Sequence, residues 1–223
     1  MRLTRKIAAL AAGSALVVGS VLATAPAANA AAPNDPTGGA QVVAALEFGY
    51  GDGSNGNPYD FQILTTALKA TGLDATLKTL DNITIFAPND RAFEVLAKSK
   101  GLLGPNYRFG ATVDEDKVVA ALLTLPNPVQ TISAIVLYHV YTGGVLPGSA
   151  VVKLPVFGAS LKMANQQSLG VINFTRFTKT PTVFLQDKDG RILNDAVVKS
   201  KVDYVLVPGA VVHGISDVLL PKL

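Results

Sequence analysis

The chain has no cysteine and no tryptophan, and only two histidines and two methionines among its 223 residues. Without cysteine there are no disulfides, no thiol nucleophile, no thiolate zinc site and no thiol redox chemistry. Many exported domains rely on disulfides because their cores are small; this one has to fold on burial alone. Charged residues make up only 16% of the chain, and they form no basic stripe of the kind nucleic-acid binding requires. No H-E-x-x-H helix motif and no G-x-S-x-G nucleophile elbow occurs. After the first apolar run no second long one follows, so the remainder is not expected to span a membrane.

What is present begins with a targeting signature. Arg2, Arg5 and Lys6 precede an apolar stretch from Ile7 to Ala23 that ends in the small residues Ala28-Asn29-Ala30. A positive start, a short apolar centre and a small-x-small end make a secretory signal peptide over residues 1–30. Glycines and serines at 13, 14, 19 and 20 make the run a poor retained anchor, and no cysteine follows it for lipid attachment. Removing it takes three of the nineteen Lys and Arg residues and no acids. Sixteen bases then face sixteen acids, and the net charge falls from +3 to zero. The expected location is secreted and extracellular, with retention at the cell surface left open.

Residues 31–58 read as a flexible leader and loop. Pro, Gly and small side chains dominate, apart from a short apolar segment at 41–48, and Gly49–Pro58 is loop by composition. Residues 59–223 read as one domain. Phe61, Leu64 and Leu68 share a helical face that Asp60 can cap and Gly72 stops. Asp74 caps a short second helix. Residues 83–87 form a buried strand closed by Pro88. Asn89 or Asp90 caps a helix carrying Phe93, Leu96 and Ala97, Asp114 starts another through Leu125, and 129–138 is helical again. Beyond Gly143-Gly144 the expected strands are 151–154, 160–163, 171–177, 182–186, 192–198, 204–207 and 210–215, with Asp189-Gly190 as a hairpin turn. Helices first and strands later predict an α+β fold with a largely antiparallel C-terminal half.

Three separated stretches carry more. They are Thr84-Ile85-Phe86-Ala87-Pro88-Asn89-Asp90 with Ala92 and Phe93, then Tyr138-His139-Val140, then Val211 to Pro221 (VVHGISDVLLP). In this order and spacing they resemble the fasciclin domain over roughly Asp60 to Pro221. The chain departs from that family's pattern at Pro208-Gly209-Ala210 and at Ser216-Asp217. The resemblance implies the fasciclin-like fold and a secreted or surface module for adhesion. Its expected partner is an extracellular or surface protein, matrix or polysaccharide. The resemblance also marks Tyr138 and His139, and Asp203-Tyr204 ahead of the last motif, as candidate interaction residues, together with His213.

Read from the residues alone, the same positions are structural. His139 continues the helical stripe Ile132, Ile135 and Val136, and His213 alternates with Val211 and Ile215 along a strand. The rival reading is a histidine base or a two-histidine metal site. Gly51 to Gly56 matches G-x-G-x-x-G but follows no convincing strand. Asp187-Lys188-Asp189-Gly190 lacks the further ligands of a calcium loop. The sequons at Asn82 and Asn173 are taken as chance. No catalytic residue, metal or cofactor is expected. The leading function is a secreted non-catalytic binding module; the alternatives are an exported hydrolase using His139 or His213, and a carrier of a small apolar ligand.

Overall fold

The structure, a computed structural model, describes residues 36–50, 55–177, 182–189, 195–196 and 202–223. The expected signal peptide lies outside the described residues. Among those described, no helix is long and apolar enough to cross a membrane.

The fold is α+β, as the pattern of helices followed by strands predicts. Helices α1 (Gly38–Tyr50), α2 (Gln62–Thr71) and α3 (Leu73–Leu77) lead to strand β1 (Ile83–Pro88). Helices α4 (Asp90–Ser99), α5 (Glu115–Leu122) and α6 (Pro128–Leu137) follow, then β2 (Val140–Tyr141) and the single-turn α7 (Gly148–Val151). The remainder is β3 (Ala159–Lys162), β4 (Ser168–Asn173), β5 (Val183–Gln186), β6 (Asp195–Ala196), β7 (Val205–Val207) and β8 (Ala210–Ile215). One sheet has the order β2-β1-β8-β7 and the other β3-β4-β5-β6. The second sheet is antiparallel throughout, whereas β1 and β8 run parallel in the first, with Phe86 opposite His213.

All six residues of β1 and all six of β8 are buried. A strand in that position is covered on both faces, and alternate side chains serve different cores. Ile83, Ile85, Ala87, Ala210 and Val212 join Phe61, Leu64, Phe93, Leu96 and Ile135 in the helical core. Phe86 and Ile215 join Tyr138, Met163, Leu169, Val171 and Leu185 in a second core beneath the other sheet.

The caps follow the sequence in most places. Gly72 adopts a left-handed conformation (φ 69°) that ends α2. The side chains of Asn89 and Asp114 accept from the Ala92 and Lys117 amides at the starts of α4 and α5. Four expectations change. Asp74 lies within the first turn of α3 and does not cap it; the N-cap is Gly72, with no side-chain hydrogen bond. Asp60 does not cap α2; the amide of Ile63 is taken by Asp90 Oδ1 from the start of α4, at 2.9 Å. Residues 151–154 are not a strand, because Gly148 donates to Asp203 Oδ1 at 2.8 Å and the chain turns into α7. Strand β4 stops at Asn173, whose side-chain amide reaches back to the carbonyls of Val152 and Leu154 (2.8 and 2.9 Å) while its oxygen takes the Thr175 amide. Residues 175–177 then form a 3-10 turn.

The largest correction concerns the stretch read as a flexible leader. Its segment Gly38–Tyr50 is a helix that buries Val42, Val43 and Leu46 in the helical core. Its start is bolted down: Thr37 Oγ1 donates to Lys78 O, Gly38 N to Asp81 Oδ1, and Gly39 N to Leu80 O. The two glycines, which look like linker, instead allow close approach; a Cβ on Gly39 would lie on the Leu77 carbonyl oxygen. Gly39→Ala should therefore destabilise the protein by about 1–3 kcal/mol, the usual cost of overpacking. In an undocked helix the same change would raise helix stability by about 1 kcal/mol. Chemical denaturation of the two proteins separates the outcomes, and a gain in stability would mean α1 is not packed as described.

Candidate functional site

The two histidines are the natural starting point, and each is about 1% exposed. His139 follows the end of α6, where Tyr138 occupies the C-cap. Its Nδ1 lies 2.8 Å from Ile135 O, and its Nε2 accepts the Leu219 amide at 2.9 Å. An acceptor is needed at Nε2, so the ring is neutral with its proton on Nδ1, donated to the Ile135 carbonyl. Burial pushes its pKa down from 6.5 to about 4, against a smaller opposing effect of the Ile135 carbonyl.

His213 is used in the mirror-image way. Its Nδ1 accepts the Asp203 amide at 3.1 Å, and its Nε2–H donates to Leu146 O at 2.7 Å. Burial lowers its pKa; the Leu146 carbonyl and the Asp203 carboxylate oppose this. Both nitrogens of both rings are therefore engaged by the backbone, leaving no lone pair free to act as a base or metal ligand. Thr84 completes the same fastening, since its hydroxyl donates to Gly144 O and accepts from Leu146 N, both at 2.9 Å.

The remaining sequence candidates are placed as follows. Tyr138 is fully buried and its hydroxyl donates to Ser168 O at 2.9 Å. Asp203 sits at positive φ (49°) and its carboxylate takes the Gly148 amide. Tyr204 is partly exposed and packs edge-on against Phe61 at 5.3 Å. Asp203, Tyr204 and His213 are thus neighbours, whereas His139 has a separate set of partners. The Asp187 carboxylate takes the Asp189 and Leu220 amides, as a turn residue does.

Sequence reasoning missed two features. One is a group of aromatic rings on the second sheet. Phe174 lies 5.9 Å from Phe157, 6.5 Å from Phe177 and 6.1 Å from Phe184. Phe157 is 65% exposed and Phe177 73%, the latter more than any other exposed aromatic ring among the described residues. The signal was available, as four of the nine phenylalanines fall within residues 157–184. The other is a buried carboxylate group, Asp60, Asp90 and Glu115. Burial, reinforced by the hydrogen bond to Asp60 and by the charges of Asp60 and Glu115, pushes the pKa of Asp90 up to about 9, against the Ile63 amide. In sequence, each acid is indistinguishable from an ordinary helix-start residue.

The neutrality of His139 has a measurable consequence. The unfolded imidazole takes its proton near pH 6.5, and the folded one only near pH 4. The unfolded state thus binds more protons in between, so this contribution to stability is complete above pH 6.5 and is lost as pH falls toward 4. At about 1.4 kcal/mol per pH unit the loss reaches about 3 kcal/mol. Urea unfolding of the wild type and His139→Gln at about pH 7.5 and about pH 4.5 should show the wild-type advantage shrinking in acid. An equal difference at both values would rule out a neutral buried ring.

A solved FAS1 domain pair from the insect cell adhesion molecule fasciclin I matches at 15% identity with a TM-score of 0.41. The match covers 82% of this chain and 45% of that one, so the chain spans less than half of the pair. No curated protein sequence matches. The fasciclin domain model matches residues 59–221, from the residue before Asp60 to the end of the last motif, and the chain belongs to the fasciclin domain family, whose members are associated with cell adhesion.

Proposed function

We propose that this protein is a secreted, non-catalytic binding module that engages an extracellular or surface partner, and that the partner is a protein. The observation that carries this reading is the contrast between the motif residues and the aromatic group. Tyr138, His139 and His213 are buried and spent on backbone hydrogen bonds, while Phe157 and Phe177 stand out from the surface beside Phe174 and Phe184. Secretion rests on the signal-peptide features of residues 1–30.

Large exposed aromatic side chains are costly to leave in water and are enriched where proteins meet. Phenyl rings offer apolar area without a donor or acceptor, which suits an apolar protein surface better than a hydroxyl-rich polysaccharide. Tyr204 and Leu206 (57% exposed), around the edge strand β7, offer a smaller second contact region. The hydrolase alternative loses its base at both positions, because each ring nitrogen is already committed.

Cross-linking of purified protein to intact cells, followed by denaturing capture, tests the proposal. Phe157→Ser with Phe177→Ser should leave the melting temperature close to wild type, since both rings are exposed. The double variant should lose its cross-linked partner by about tenfold or more, as expected for an aromatic anchor of an interface. Undiminished capture by the double variant would show that the aromatic group is not the contact surface.

A further inference from the structure

Asp60, Asp90 and Glu115 come from three separate places in the chain and meet inside the helical half. Asp60 lies just ahead of α2, while Asp90 and Glu115 are the first residues of α4 and α5. They are 1%, 0% and 4% exposed, and one carboxylate oxygen from each lies within 4.8 Å of the others. Burying even one ionised carboxylate without compensation is expensive, and three share this space. Among the described residues no Lys, Arg or His forms an ion pair with any of them.

Much of the outer hydrogen-bonding capacity of the group is used. Glu115 Oε1 takes the Gly56 amide at 2.9 Å and Oε2 the Asn55 amide at 3.1 Å. Asp60 Oδ2 takes the Asn55 side-chain amide at 2.9 Å, and Asp90 Oδ1 takes the Ile63 amide at 2.9 Å. These contacts fix the orientation of the three side chains, in the way that surrounding hydrogen bonds orient metal ligands. Two atoms remain. Asp60 Oδ1 and Asp90 Oδ2 are buried and have no donor, although the two carboxyls lie within hydrogen-bonding reach of each other. When both carboxyls are ionised these two oxygens are facing acceptors, so what lies between them is either a proton held on Asp90 or a cation.

We propose that Asp60, Asp90 and Glu115 form a buried site for a hard divalent cation of the calcium or magnesium type. Oxygen-only donors select such ions, since the group contains no imidazole or thiolate to favour zinc or copper. A dication would supply the positive charge that the two orphaned oxygens lack and would offset most of the charge of the three carboxylates. It would also join the starts of α2, α4 and α5 and the 55–57 segment, so its expected effect is on stability. The site lies on different elements from the aromatic group, and neither proposal depends on the other.

The smallest rival is a single proton shared by Asp60 and Asp90. Full-length protein, stripped with a chelator and dialysed, would be titrated calorimetrically with calcium, magnesium, manganese and zinc chlorides, with thermal unfolding followed alongside. The expected result is one bound ion per chain for calcium, magnesium or manganese, with a melting temperature that rises with ion concentration as ligand linkage requires. Asp90→Asn and Glu115→Gln should each weaken binding by about tenfold or more, because the charge of the ligand set governs affinity for such ions. Both should remain folded without the ion; Asp60→Asn serves in place of either that does not. No binding and no shift at millimolar calcium, magnesium or manganese would leave the shared proton as the occupant and overturn the proposal. So would zinc binding alone, or an ion-dependent shift that persists in the variants.

Discussion

The parallel pairing of β1 with β8 is the constraint on which the rest of the structure depends. It joins residues 83–88 to residues 210–215, almost the whole length of the domain apart. A parallel pair cannot be closed by a tight turn and needs a long crossover, and here the crossover contains most of the helices and the entire second sheet. Because both strands are buried on both faces, the helices must cover one side and the second sheet the other. The two most distinctive sequence motifs are these two strands and the turns that follow them, so their separation in sequence is the signature of their contact in space.

Central burial also explains why polar residues are found there and why they look functional in the sequence. A buried polar atom without a partner costs about 1–3 kcal/mol, so Thr84, His139 and His213 are kept only because each is fully engaged. Their partners are main-chain groups of irregular segments: the 144–146 loop, the end of α6 and the approach to Leu219. Histidine suits this work because its neutral ring both donates and accepts across a single planar side chain. The rings fasten loops that no sheet hydrogen bond could hold.

The carboxylate group obeys the same accounting and leaves two oxygens over. The two histidines have every nitrogen matched, one on β8 and one at the end of α6, while Asp60 and Asp90 each keep one buried oxygen that no main-chain or side-chain N–H reaches. Helix N-termini favour nearby anions by a few tenths to about 1 kcal/mol, which eases the burial of three acids without supplying a partner for the remaining oxygens. The surface shows the reverse economy. Apolar rings at Phe157 and Phe177 remain in water, and the proposed contact surface rests on that exposure.

The sequence by itself determined most of the helices, several of their caps, the buried strand at 83–88 and the alternating strands of the C-terminal half, because these depend on periodicity and on neighbours within a few residues; the fasciclin family was legible through the resemblance of three separated motifs, at 84–93, 138–140 and 211–221. Gly72, Asn89 and Asp114 act through local backbone geometry and were legible for that reason. Asp60 was misread as a cap because its partners, Asp90 and Glu115, lie 30 and 55 residues away. The glycines at 38 and 39 looked like linker, since close packing against Leu77 and Gly209 leaves no mark in composition. Strand at 151–154 failed similarly, overruled by a hydrogen bond to Asp203. Only the tertiary structure could decide which side chains converge, which histidine nitrogens are spent and which rings stay exposed, because burial and long-range hydrogen bonding depend on atoms brought together by the fold.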